Sequence, residues 1–259
     1  MRHESLLKVV LILCAIALGF AIALGAQQKK GADLGFTDTP ILPGQKWHVH
    51  DPDRPHPHVV TPGKEPGAAP SDAVVLFNGK DLTGWKLRHA DAHNSWSVLP
   101  GGILKNTVAE GSHGVDLVTT NKYWNFTARY EYMTPKDSNS GFYLRGRHEI
   151  QILGDYDSHD LGEGSNGAIY GFKGPDKFAT KPSGEWQTVE ATIIGNRITV
   201  ILNGVKIHDN VECNKATGSE IDGQVKEPGP IFLQGDHGTV SFRNIRIKEL
   251  PKEAAPAQS

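Results

Sequence analysis

The chain has 259 residues, of which 38% are hydrophobic and 22% charged, with a formal net charge of −2. That balance carries no electrostatic footprint for nucleic acid or for an anionic membrane surface. The 29 glycines and 16 prolines exceed the usual share, which favours a turn-rich β fold over a helical bundle.

The first 25 residues read as an export signal. Arg2 and Lys8 are followed by an apolar run from Val9 to Leu24, and Ala23-Leu24-Gly25 supplies small residues for a signal peptidase. The run is short of the ~20 residues that span a bilayer comfortably. Cleavage near Ala26 is expected, with no integral span afterwards and a periplasmic or secreted location. Leu13 before Cys14 is too large for a lipidation site. With Cys14 removed, Cys213 has no partner, which excludes a disulfide scaffold and a four-cysteine zinc site.

Residues 26–72 carry eight of the sixteen prolines and two aromatics, Phe36 and Trp47. They lack helical or strand periodicity and read as an arm or linker. His48, His50, His56 and His58 form two His-x-His pairs within it. These suit either a transition metal or, as the plainer reading, an extended chain lying on a partner surface. The Gly/Ala/Pro-rich stretch Lys64 to Ser71 separates this arm from the main domain, residues 73–250, and residues 251–259 form a disordered tail.

The main domain is a series of short strands between Gly, Asn, Asp and Pro turns. The candidates are Val74–Phe77, Trp96–Leu99, Ile103–Asn106, Asp116–Thr119, Phe126–Met133, Gly141–Arg145 and His148–Leu153. Gly167–Phe172, Trp186–Ile194, Arg197–Asn203, Val205–His208, Ile231–Gln234 and Thr239–Lys248 follow. Gly195-Asn196 and Asn203-Gly204 are hairpin turns. No segment has the i, i+3, i+4, i+7 pattern of a helix, so the domain is all-β, a two-sheet sandwich. In the last strand the apolar phase shifts from Val240 and Phe242 to Ile245 and Ile247, which predicts a β-bulge near Arg243-Asn244.

Alternation also sorts side chains by face. Phe142, Leu144, Ile150 and Ile152 point one way; Tyr143, Arg145, Glu149 and Gln151 point the other. A sheet face with a ring, a guanidinium, a carboxyl and an amide suits a sugar, by stacking, hydrogen bonding and proton transfer. An ordinary solvated face is the alternative. Gln234-Gly235-Asp236-His237-Gly238 reads either as a base or metal ligand exposed between flexible glycines or as a polar turn. The acidic loop Asp155 to Asp160 lacks the glycine and distal Glu of an EF-hand.

Leu76-Phe77-Asn78-Gly79-Lys80-Asp81-Leu82-Thr83-Gly84-Trp85 resembles the opening signature of the bacterial 3-keto-disaccharide hydrolase family. Asn139 to Gly146, Glu149 to Leu153, Gly184-Glu185-Trp186, Gly229 to Gln234, Asp236-His237-Gly238 and Phe242 to Ile245 match its later motifs in order. The resemblance covers about Ala73 to Leu250. Gly154 stands where relatives often have an acidic residue, and Gly235 is inserted within the Gln-Asp-His motif. The Pro- and His-containing arm also resembles an extension that some relatives carry.

The resemblance implies a concanavalin-like jelly roll of two curved antiparallel sheets with ligand on the concave face. It further implies an exported enzyme cleaving glycosides already oxidised at C3, by C2 proton abstraction, elimination and hydration. On that basis Glu149 or His237 is the expected proton-transfer residue and Arg145 the enolate stabiliser. Tyr143, Gln151, Tyr170, Gln234 and Asp236 are the expected substrate contacts. No cofactor is evident and a divalent metal stays open; the expected partner is an oligosaccharide or glycoside, not nucleic acid. A non-catalytic carbohydrate-binding or wall-associated jelly roll is the alternative. An ordinary laminarinase-like glycosidase would need carboxylates alternating along one strand, and His148–Leu153 supplies only Glu149.

Overall fold

A computed structural model of the chain describes residues 35–55, 57–64 and 68–251. The expected export signal with Cys14, His56 and all but the first residue of the expected tail lie outside the described residues. The chain divides into two units, residues 1–59 and 60–259.

In the first unit the main chain pairs with itself around a turn. Leu42 N–H donates to the Trp47 carbonyl at 2.9 Å, Val49 N–H to Pro40 at 3.1 Å and Phe36 N–H to His50 at 2.8 Å. The two pairs of histidines are partly accounted for here. His48 Nδ1 meets the Thr39 carbonyl, and the His50 ring packs on Phe36 with centroids 4.7 Å apart. The sequence shows no periodicity because these contacts are made by the backbone and by single side chains.

Among the described residues, the second unit is a jelly-roll sandwich of thirteen antiparallel strands. In chain order they are β1 (Val74–Val75), β2 (Trp85–Leu87), β3 (Trp96–Leu99), β4 (Ile103–Asn106), β5 (Leu117–Thr119), β6 (Phe126–Met133) and β7 (Asn139–Leu144). They continue with β8 (His148–Leu153), β9 (Gln187–Ile194), β10 (Arg197–Leu202), β11 (Val205–Glu212), β12 (Phe232–Leu233) and β13 (Val240–Glu249). One sheet runs β11-β10-β9-β6-β13-β4-β3, with β1 also on β13; the other runs β2-β5-β12-β7-β8. Among the described residues the helical content is one 3-10 turn, Tyr156–Ser158. No helix there is long and apolar enough to cross a membrane.

The core lies between the sheets, where period-two alternation delivers apolar side chains from both. Phe126, Ala128, Tyr130 and Tyr132 of β6 are buried, as are Phe142 and Leu144 of β7 and Ile150 and Ile152 of β8. Tyr130 and Phe142 stack across the layers, centroids 3.9 Å apart. The expected bulge is present: pairing of β13 with β6 shifts between Arg243 and Arg246, and Asn244 takes a φ of 55°.

Two elements differ from the sequence reading. Gly167–Phe172 is no strand; only Ile169 makes isolated bridges, to Ile150 and Lys173, because Gly167 and Gly171 turn the chain with φ of 83° and 60°. β2 was hidden by its brevity and by the preceding turn. There Asn78 and Asp81 side chains accept main-chain N–H groups of Lys80, Asp81 and Thr83. Trp85 Nε1 then donates to the Leu76 carbonyl at 2.7 Å, so the opening signature is a structural latch.

Candidate active site

The site lies on the outer face of the five-stranded sheet. Register places Val118, Phe232, Tyr143 and Glu149 in one row across β5, β12, β7 and β8. Tyr143 stacks on Phe232 with centroids 4.1 Å apart. Unlike a solvated face, this one is covered. The β8–β9 connection bonds to it through Tyr170 N–H on the Glu149 carbonyl at 3.2 Å. The β11–β12 connection does so through Thr217, whose Oγ1 accepts Glu149 N–H at 2.9 Å.

A cleft of about 50 Å³ remains, lined by Asn139, Tyr143, Glu149, Gln151, Tyr170, Ser219, Gln234 and His237. Parity therefore brings Tyr143, Glu149 and Gln151 together as expected, and Tyr170, Gln234 and His237 join them. Asn139 and Ser219 are additions. Asn139 stands inside a family motif, whereas Ser219 comes from a connection whose folding back leaves no sequence periodicity. A depression of about 300 Å³ on the other sheet contains Arg129 and Glu190, already paired with each other.

Glu149 is the buried acid of the cleft. It is 2% exposed, and burial raises its carboxyl to about 8. The charges of Asp236 and Asp116 push the same way. Tyr143 Oη lies 2.8 Å from Glu149 Oε2 and 2.8 Å from the Gly218 carbonyl. Burial, then the Glu149 charge, raises the phenol. The side-chain oxygens of Asn139, Gln151 and Gln234 have no partner. Such groups are costly unless a ligand or water satisfies them.

At the rim, His237 Nδ1 lies 2.5 Å from Asp236 Oδ1, which fixes the ring and leaves Nε2 available. Asp236 thus reaches the cleft through His237. Asn106 of β4 clamps this loop, donating to the Gly235 carbonyl at 2.7 Å and to Gly238 at 2.8 Å. The two glycines serve close approach, not bending. A Cβ on Gly235 would sit 2.2 Å from the Val115 carbonyl, and one on Gly238 2.4 Å from Ser138 Oγ. Likewise, a Cβ at Gly154 would sit 2.0 Å from the Pro135 carbonyl, leaving no room for an acidic side chain.

Arg145 is not brought to the cleft. Arg145 and Gly146 both take positive φ, 56° and 65°, and this turn breaks the strand parity on which the expectation rested. The guanidinium lies over Trp124, 4.2 Å from the ring centroid, and donates to the Gly195 carbonyl at 2.6 Å. Burial lowers it to about 10, with Arg147 adding to the effect. It does not line the cleft around Glu149. The acidic loop is also structural: Asp155 accepts Asn166 N–H at 2.9 Å and Asp157 pairs with Lys136 at 2.7 Å. Among the described residues no group of three or more His, Cys, Asp or Glu is placed to hold a metal ion.

Residues 72–248 match the model of the 3-keto-alpha-glucoside-1,2-lyase-like domain. A solved Parabacteroides distasonis structure, provisionally described as a glycosyl hydrolase, is 32% identical. It aligns over 76% of this chain and 93% of its own with a TM-score of 0.62. Another from the same organism, described likewise, is 26% identical over 69% of this chain and 99% of its own, with a TM-score of 0.53. No curated protein matches. The domain match spans most of the chain and the fold agrees with it: the chain belongs to the 3-keto-alpha-glucoside-1,2-lyase-like family.

Proposed function

We propose that this protein is an exported carbohydrate-active enzyme that cleaves 3-keto-glycosides. The observation that carries the reading is a buried Glu149 carboxyl sharing a cleft with His237 and with unpartnered amide oxygens. The C3 ketone acidifies the C2 proton, so a base removes it and the electron pair forms an enolate on O3. The enolate re-forms the ketone and expels the C1 substituent, leaving a C1–C2 double bond while an acid protonates the departing oxygen. Water then adds, its oxygen to C1 and a proton back to C2, for net hydrolysis.

This route needs a base, an acid and hydrogen-bond donors at O3. His237 with Asp236 and Glu149 supply the first two. The amide N–H groups of Gln234 and Asn139 supply donors in place of Arg145, while their unpartnered oxygens accept from sugar hydroxyls. Tyr170, 38% exposed at the rim, offers a ring face for the sugar. That same exposed ring favours the second reading, a binding module without turnover.

Incubation with a 3-keto-glucoside and with its unoxidised parent separates them. The expected result is release of the aglycone from the keto compound alone, and Glu149→Gln and His237→Ala should each reduce it ~100-fold or more. Binding of both compounds without cleavage of either would replace the enzyme reading with the binding one.

A further inference from the structure

Tyr143 has one hydroxyl proton and two oxygen neighbours at the same distance. Glu149 Oε2 and the Gly218 carbonyl oxygen each lie 2.8 Å from Tyr143 Oη. A carbonyl can only accept, so the contact with Gly218 uses the tyrosine's proton. The contact with Glu149 then needs a proton from the other side. We infer that Glu149, Tyr143 and Gly218 form a one-way hydrogen-bond chain, carboxyl O–H to phenol oxygen and phenol O–H to carbonyl, which holds Glu149 as the neutral acid.

The Gly218 carbonyl is fixed independently of Tyr143. Thr217 N–H donates to the Arg147 carbonyl at 2.8 Å. On the other side Arg88 donates to the Ser219 and Glu220 carbonyls, both at 2.9 Å. Arg88 is itself 3.3 Å from Asp116. The acceptor is therefore preset, and the phenol orients to it. Among the described residues no cation is paired with the Glu149 carboxyl to reward its ionisation. Around it stand Tyr143 on β7, Gln151 on β8, Asp116 before β5, already paired with Arg88, and Asp236 with His237 before β13. Asn139, Tyr170, Ser219 and Gln234 also line the cleft.

Resting on the proposed elimination, this divides the labour. Glu149 gives its proton to the departing C1 oxygen, and His237, held by Asp236, removes the proton from C2. Tyr143 is a positioning residue that sets which form of Glu149 meets the substrate.

The test needs no substrate, so its outcome is separate from the question of activity. Glu149 is titrated in the free full-length protein by carbon NMR of δ-labelled glutamate, with Glu149→Gln assigning the signal. If Tyr143 accepts from the carboxyl, Tyr143→Phe removes support for the neutral form, and the midpoint falls by about one pH unit. If Tyr143 instead donates to a carboxylate, the midpoint rises. A rise, or no change, overturns the inference. Should Tyr143→Phe not fold, infrared spectra of wild type minus Glu149→Gln at pH ~7 decide, since the reference pKa of Glu is far below. A protonated carboxyl stretch shifted by hydrogen-bond donation supports the chain, and a carboxylate or an unshifted free acid overturns it.

Discussion

Gly141 and the carboxyl of Glu149 compete for one place: a Cβ on residue 141 would lie 2.1 Å from Glu149 Oε1 and 2.8 Å from its carboxyl carbon. A glycine inside a strand ordinarily weakens it. Here its bare backbone is the floor on which the acid rests, beside β8 and under the cleft. Gly141→Ala should displace the carboxyl, cost about 1–3 kcal/mol in stability and lower turnover of a 3-keto-glycoside ~100-fold. Denaturant unfolding and steady-state kinetics of the variant check both effects. Wild-type turnover in Gly141→Ala would remove Glu149 from the chemistry.

Leaving-group dependence should expose the role of Glu149. An acid matters most when the departing oxygen is basic. Glu149→Gln should therefore lose ~100-fold or more on a 3-keto-disaccharide, and about tenfold or less on a 3-keto glucoside of an acidic phenol. Equal losses on both would identify Glu149 as the base.

Stability should respond to pH through two buried groups with opposite signs. Glu149 rises from 4.5 to about 8 on folding, so the native state holds its proton longer and stability falls as pH climbs through that window. Glu149→Gln should abolish this slope and gain up to a few kcal/mol over wild type by pH ~8.5. His148 moves the other way, from 6.5 to about 4, through burial and the nearby Arg145 and Arg147. Its contribution is lost as pH falls from 6.5 towards 4. Urea titrations of wild type, Glu149→Gln and His148→Phe across this range would separate the two slopes.

Arg145 should behave as a structural residue. Arg145→Met forfeits the stack on Trp124 and the bond to Gly195, a loss of about 1–3 kcal/mol. Turnover should stay within about threefold of wild type, since the guanidinium lies away from Glu149. A thermal melt paired with a kinetic assay decides, and a hundredfold drop in turnover without loss of stability would return Arg145 to the reaction.

Much of this site was legible as parity. Tyr143, Glu149 and Gln151 share a face because strands alternate, and the bulge at Arg243-Asn244 was visible as a slip in the apolar phase. What failed was parity carried through a turn: Arg145 belongs by count to the polar face, but two successive positive φ angles rotate it out of the series. Ser219 and the Gly218 carbonyl were invisible for another reason. They reach the cleft from a long connection, positioned by Arg88 from across the sheet, and no local spacing encodes such contacts. Asn106 likewise read only as the end of a strand.

The Asn106 clamp ties the chemistry to the whole sandwich. Its strand belongs to the eight-stranded sheet, while Gln234 N–H donates to the Gly141 carbonyl of the five-stranded one at 2.9 Å, so the loop that carries His237 is held from both layers at once. A loop held only by its own turn would lose activity on warming before the domain melts. Here inactivation and global unfolding should coincide in temperature, and replacing Asn106 should pull them apart, leaving a folded protein whose proposed catalytic pair has come loose.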